Sequence, residues 1–200
     1  PGAGTVIGVD AVAKATDQHT FGGVANSCTV NQTLVKALPY KTLDDLAPVI
    51  LLAKTANVLA IKPSLGINNL QELIAYAKKN PGKLSYGSFG NGTTPHFAGE
   101  MLKTMAGIDM VHVPYKGYGQ ALTDLMGGQI QLLLTSGLGG TPYLKSGRLK
   151  AIAATSARRL AAFPDVPTVI EAGIADFQLE NMHALYAPVG VPVAILNAVN

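Results

Sequence analysis

Apolar positions recur along this chain with two periods. Short β-type runs span 19–25, 49–53, 57–62, 83–88, 110–113, 129–135, 149–156 and 184–187. Their length and composition suit strands. Between them the spacing turns helical. Leu70, Leu73, Ile74 and Ala77 form one stripe over 69–79, with Asn68 or Asn69 placed to cap it and Pro81-Gly82 to stop it. The same spacing predicts a helix over 95–106, with Phe97, Met101, Leu102 and Met105 on one face and Gly107 as the stop. It predicts others over 118–126, closed by Gly127-Gly128, and over 30–37. Strands alternating with helices of this length imply an α/β fold with a largely parallel sheet.

Composition narrows the class. Of 200 residues, 48% are hydrophobic and 14% charged, enough apolar material for a core and too much for intrinsic disorder. No apolar run approaches the roughly 18 residues of a membrane-spanning helix, so direct membrane insertion is not expected. The single cysteine, Cys28, excludes an internal disulfide. A net charge of +3, spread along the chain, argues against nucleic acid as a partner. The chain opens on Pro1-Gly2-Ala3-Gly4, which is loop composition, with no visible signal peptide. It closes on 194–200, which reads as a helix just beginning. Both ends are therefore expected to be trimmed.

Candidate chemistry concentrates in loops that follow strands. Over 84–96 a strand runs through Ser88-Phe89-Gly90-Asn91-Gly92-Thr93 into a helix with Pro95 in its first turn. Glycines let the backbone turn its N–H groups toward one point, and a helix start adds unpaired donors. That combination suits a carboxylate or phosphate. The stretch lacks the Lys-Ser/Thr ending of a P-loop, and Pro95 breaks the dinucleotide fingerprint, so nucleotide binding is disfavoured and no cofactor is expected. Tyr115-Lys116-Gly117 sits between a strand and a helix and could close on an anion. Asn26-Ser27 and Ser136 stand at further strand ends. Ligands of open α/β sheets collect outside the carboxyl ends of strands, so these loops suggest one cleft.

Reactive groups are sparse. His19, His96, His112 and His183 show no zinc spacing, and no metal site is expected. No GxSxG elbow occurs. Carboxylates are scattered rather than paired. A small lyase or hydrolase using His96 or Cys28 is the alternative class. Abundant donors with few reactive groups favour binding over catalysis.

In order along the chain, Leu38-Pro39-Tyr40-Lys41, Asn80-Pro81-Gly82-Lys83-Leu84-Ser85-Tyr86-Gly87-Ser88, Gly90-Asn91-Gly92-Thr93-Thr94-Pro95-His96 and His112-Val113-Pro114-Tyr115-Lys116-Gly117 resemble the Bug-type solute receptors of tripartite tricarboxylate transporters. Ser146-Gly147-Arg148-Leu149, Thr155-Ser156-Ala157-Arg158-Arg159, Phe163-Pro164-Asp165-Val166-Pro167-Thr168 and Ala187-Pro188-Val189-Gly190-Val191-Pro192 extend the resemblance over essentially the whole chain.

The resemblance implies a two-lobed periplasmic binding protein of the Venus-flytrap type II architecture. The first lobe would comprise 1–57 and 178–200 and be incomplete; the second would comprise 58–177. The implied function is extracytoplasmic capture of a small carboxylate, a di- or tricarboxylate or an aromatic acid, for delivery to the transporter's membrane subunits. The implied location is the periplasm. By position, Ser88, Gly90, Asn91, Gly92, Thr93 and His96 match the family's second-lobe anion loop, and Asn26 and Ser27 a first-lobe loop. Tyr115, Lys116, Gly117 and Ser136 fall where other cleft loops lie. The family's members are longer at both ends. Met182 stands where relatives often carry an aromatic residue, and Gly139-Gly140 replaces a bulkier segment, which implies a wider cleft.

Overall fold

The computed structural model describes residues 5–200, with only the backbone described at Gly137 and Leu138. The reading of residues 1–4 as a loop lies outside the described residues. The chain divides into two compact units, Pro1–Lys54 with Asn181–Asn200 and Thr55–Glu180.

The first unit opens with helix α1 (Val6–Ala13), which the apolar spacing had not suggested. Strand β1 (Gly22–Ala25) begins three residues later than predicted. Asp17 is the reason: its carboxylate accepts the backbone N–H groups of His19 at 2.9 Å and Thr20 at 2.8 Å, so 17–20 forms a turn. Helix α2 (Ser27–Leu34) starts earlier than predicted, because the Asn26 carbonyl accepts from Thr29 N–H and Val30 N–H. A single turn, α3 (Thr42–Asp45), leads into β2 (Leu46–Ile61). Two strands were expected within this span. No glycine interrupts it, and extended residues such as Val49, Ile50, Val58 and Ile61 continue as one strand.

The second unit follows with α4 (Leu70–Lys79), β3 (Leu84–Ser88), α5 (Thr94–Ala106), β4 (Met110–Pro114) and α6 (Tyr118–Gly127). It continues with β5 (Leu132–Ser136), α7 (Gly137–Lys145) and β6 (Lys150–Ala154). The predicted cap of α4 is Asn69, whose side chain accepts from the Glu72 amide at 2.8 Å. β5 starts later than the apolar run suggests, because the Gln129 amide turns back onto the Asp124 carbonyl at 2.8 Å. The chain then returns to the first unit through β7 (Glu180–Pro188) and ends in α8 (Val193–Val199).

The sheet of the second unit is mixed rather than largely parallel. β3 pairs in parallel with β4 and β5, while β2 runs antiparallel to both β5 and β6. In the first unit β1 is antiparallel to β7. β5 explains why both faces of the larger sheet are dry. Leu132 and Leu134 join the Leu59, Ile61, Leu84, Tyr86 and Leu102 cluster on one side, and Leu133 joins Ala60, Leu122 and Leu125 on the other. A strand alternates faces, so a continuous apolar run serves two helical layers. The smaller core of the first unit gathers Val9, Val24, Cys28, Tyr40 and Leu46.

The inward face of α5 keeps Leu102 and Met101 of the predicted stripe but is otherwise rotated from it. Pro95, Ala98, Gly99 and Leu102 are buried, whereas Met105 is 41% exposed. A Cβ added at Gly99 would overlap Cε2 of Tyr86, far inside van der Waals contact. The bulk that fills this layer is therefore supplied by the sheet, and the helix must present small residues to approach it.

Candidate functional site

Because β3, β4 and β5 are mutually parallel or parallel through β3, their carboxyl ends share one edge of the second unit. Each leads into a helix start: Ser88 toward α5, Pro114 toward α6 and Ser136 toward α7. The first N–H groups of a helix have no intrahelical partner, so this edge collects donors and the partial positive ends of three helices. Phe89 packs edge-on against Tyr118 with ring centroids 5.7 Å apart, and Tyr118 Oη donates to the Gly139 carbonyl at 2.8 Å. One aromatic pair thus ties the three loops together.

The loop at 88–93 is a tight turn that needs its glycines. Gly90 has φ +115° and Gly92 φ +78°, where a side chain is strained. The Gly90 amide donates to Ser88 Oγ at 3.2 Å and the Gly92 amide to His96 Nδ1 at 3.3 Å. Thr93 caps the turn, its Oγ1 donating to the Gly90 carbonyl at 2.7 Å. The glycine amides therefore shape the loop. The first-turn amides of α5, at Thr94 and His96, have no intrahelical partner.

The other predicted positions take distinct places. Tyr115 continues β4, its amide donating to the Ser88 carbonyl at 2.9 Å. Its hydroxyl donates to Asp124 at 2.7 Å, and burial together with that carboxylate pushes its pKa up to about 12. Tyr115 is thus turned onto α6. Lys116 is exposed. Gly117 is extended at φ −178°, and an added Cβ there meets open space. Ser136 caps α7, accepting the Gly139 amide at 3.3 Å. Gly140 lies against Thr135, whose Cγ2 would be 2.9 Å from an added Cβ. Asn26 and Ser27 belong to the first unit. Asn26 Oδ1 accepts the Met182 amide, and the buried Ser27 pairs its Oγ with Thr5 Oγ1 at 2.8 Å.

Sequence reading missed His112. Its ring sits 4.9 Å from Tyr86 and 4.4 Å from His96, and its Nε2 is 2.7 Å from Ser88 Oγ. Burial, then the neighbouring His96, hold its pKa down to about 4, and burial lowers that of His96 as well. Both rings are neutral near pH 7. Tyr86 Oη donates to Glu100 at 2.7 Å, and Lys103 closes on Glu100 at 3.0 Å. The legible signal was strand alternation: Met110 and His112 share a face on β4, and Met110 is buried.

Burial raises the pKa of the Cys28 thiol, the opposite of nucleophile activation. Among the described residues no cluster of His, Cys, Asp or Glu could hold a metal ion. Among them, too, no helix is long and apolar enough to cross a membrane.

Comparison with known proteins places this arrangement. The protein BugT of Bordetella pertussis is 35% identical over 202 residues, covering 100% of this chain and 62% of that protein. The R. palustris protein Rpa4515, solved with adipate, superposes with a TM-score of 0.92 at 31% identity, over 97% of this chain and 66% of that one. The periplasmic binding protein BugD superposes with a TM-score of 0.90 at 31% identity, over 98% of this chain and 66% of that one. The fold is thus that of the periplasmic binding proteins. The family model for the tripartite tricarboxylate transporter family receptor matches residues 1–200, and the chain belongs to that family. It spans less than two thirds of the length of these relatives.

Proposed function

We propose that this chain is the ligand-holding part of an extracytoplasmic solute receptor, which captures a small carboxylate and passes it, unaltered, to transporter membrane subunits. One observation carries the reading: three parallel strands end at one edge, each feeding a helix start, the first of them through the Gly- and Thr-containing loop 89–93. Neutral donors and helix ends hold a carboxylate without a buried counter-charge, and waters bridge the remaining gaps. The two compact units correspond in this reading to the two lobes of the receptor. Family membership and the likeness to BugD, a periplasmic binding protein, support a periplasmic location. A dicarboxylate of adipate's size is the first candidate, since Rpa4515 was solved with adipate. Catalysis by Cys28 or His96 is disfavoured, because the thiol is buried with a raised pKa and the imidazole is held in the loop by Gly92.

A thermal-shift screen of organic acids tests the reading. A ligand at about 100 times its Kd stabilises by roughly 2.7 kcal/mol. A dicarboxylate should therefore raise the melting temperature and be recovered unchanged. Product formation with no acid raising the melting temperature would sink the receptor reading.

Thr93→Val removes the hydroxyl that closes the turn onto Gly90. Carboxylate affinity should fall by about 1–2 kcal/mol by calorimetry. An unchanged Kd would remove Thr93 from the site.

A further inference from the structure

Beneath the 88–93 loop lies a polar cluster that carboxylate capture alone does not require. His112 is layered between Tyr86 and His96, with centroids 4.9 and 4.4 Å away. Its Nε2 lies 2.7 Å from Oγ of Ser88, a residue with no solvent exposure. Ser88 Oγ in turn receives the Gly90 amide, and His96 Nδ1 receives the Gly92 amide. Two facing imidazoles thus lead, one directly and one through a hydroxyl, to the two positive-φ glycines of the loop.

We infer that His112 is a positioning residue for the anion loop: through Ser88 it orients the Gly90 amide, and by a tilted ring contact at 4.4 Å it holds the His96 ring that receives the Gly92 amide. The inference rests on the carboxylate-receptor reading for its functional meaning. The physical argument is about preorganisation. Glycines in this region of φ have many accessible conformations, and a binding loop that must freeze on contact loses affinity. The contacts to Gly90 and Gly92, at 3.2 and 3.3 Å, are long, so each alone restrains weakly. The packed rings restrain them together. Tyr86 is itself fixed by Glu100, and Glu100 by Lys103, so the stack has a rigid base. The His96 acceptor role needs an unprotonated Nδ1, and burial favours that neutral form in both rings.

The test separates loop order from ligand binding. His112→Phe keeps a ring in the stack and removes the nitrogen facing Ser88. His112→Gln places a polar atom near the Nε2 position. Amide-resolved hydrogen exchange of the ligand-free protein should show Gly90 exchanging about tenfold faster in His112→Phe, with β5 unchanged. His112→Gln should return Gly90 to within about threefold of wild type. Ser88→Ala leaves the rings untouched and should free Gly90 while sparing Gly92, which keeps the inference testable if the ring variants fold poorly. Calorimetry with adipate then reads the functional consequence. His112→Phe should weaken binding about tenfold, and His112→Phe/Ser88→Ala should bind no more weakly than Ser88→Ala alone. Wild-type Gly90 exchange in His112→Phe or in Ser88→Ala, or additive losses in the double variant, would overturn the inference. Faster Gly90 exchange in a protein that binds no carboxylate would support the positioning role while sinking the receptor reading.

Discussion

Gly99→Val should destabilise the second unit by about 3 kcal/mol, lowering the melting temperature by roughly 6–12 °C. The added Cβ alone would overlap Cε2 and Cζ of Tyr86, and the ring has no solvent exposure. Neither side can yield cheaply. Tyr86 is stacked on His112 and tied to Glu100, and α5 is held by Ala98 and Leu102 in the core. Helix propensity slightly favours the substitution, by well under about 1 kcal/mol, so sterics decide the sign. Gly119→Ala in α6 is the control, because a Cβ there meets open space. It should be neutral or slightly stabilising. Pairing Gly99→Ala with Tyr86→Leu should recover part of the loss suffered by Gly99→Ala alone. A Gly99→Val protein melting within about 2 °C of wild type would refute the packing account.

Phe177→Ala should cost about 3–5 kcal/mol in urea unfolding. The residues between β6 and β7 form neither a long helix nor a named strand, yet Val169, Ala172, Ile174 and Phe177 are buried in the main core. Phe177 has no exposure and is the largest of the four. Backbone contacts hold the segment at its ends: Leu179 N–H on the Thr155 carbonyl and Val169 N–H on the Ala154 carbonyl, both at 2.9 Å. Removing the ring leaves a cavity that these contacts prevent from collapsing. Limited proteolysis should cut within 156–179 faster in the variant. An unfolding free energy within about 1 kcal/mol of wild type would show that the segment is held by its backbone contacts alone.

Much of this was legible beforehand. The strand–loop–helix character of 84–96 follows from local chemistry: β-type residues, then glycines, then a Pro that fits a helix start. The Asn69 cap and the glycine stop after α5 are local too. What could not be read was which face of α5 turns inward. Apolar spacing pointed to Phe97, Met101, Leu102 and Met105; Leu102 is buried and Met101 packs against the core, but Met105 is exposed, and above Tyr86 the helix presents Gly99 instead. His112 escaped for the same reason: its partners Tyr86, Ser88 and His96 come from two other elements.

The sequence by itself determined the alternation of strands and helices, the strand ends near Ser88, Pro114 and Ser136, and the neutral, donor-rich chemistry of the loop that follows the first of them. These depend on backbone propensity and hydrophobic period, which act over a few residues. Only the tertiary structure decided the antiparallel course of β2, the small-residue contact of α5 with Tyr86, and the meeting of His112 with Tyr86, Ser88 and His96. Each of those arises where side chains distant in sequence compete for one volume or one hydrogen bond, and no local pattern records the outcome.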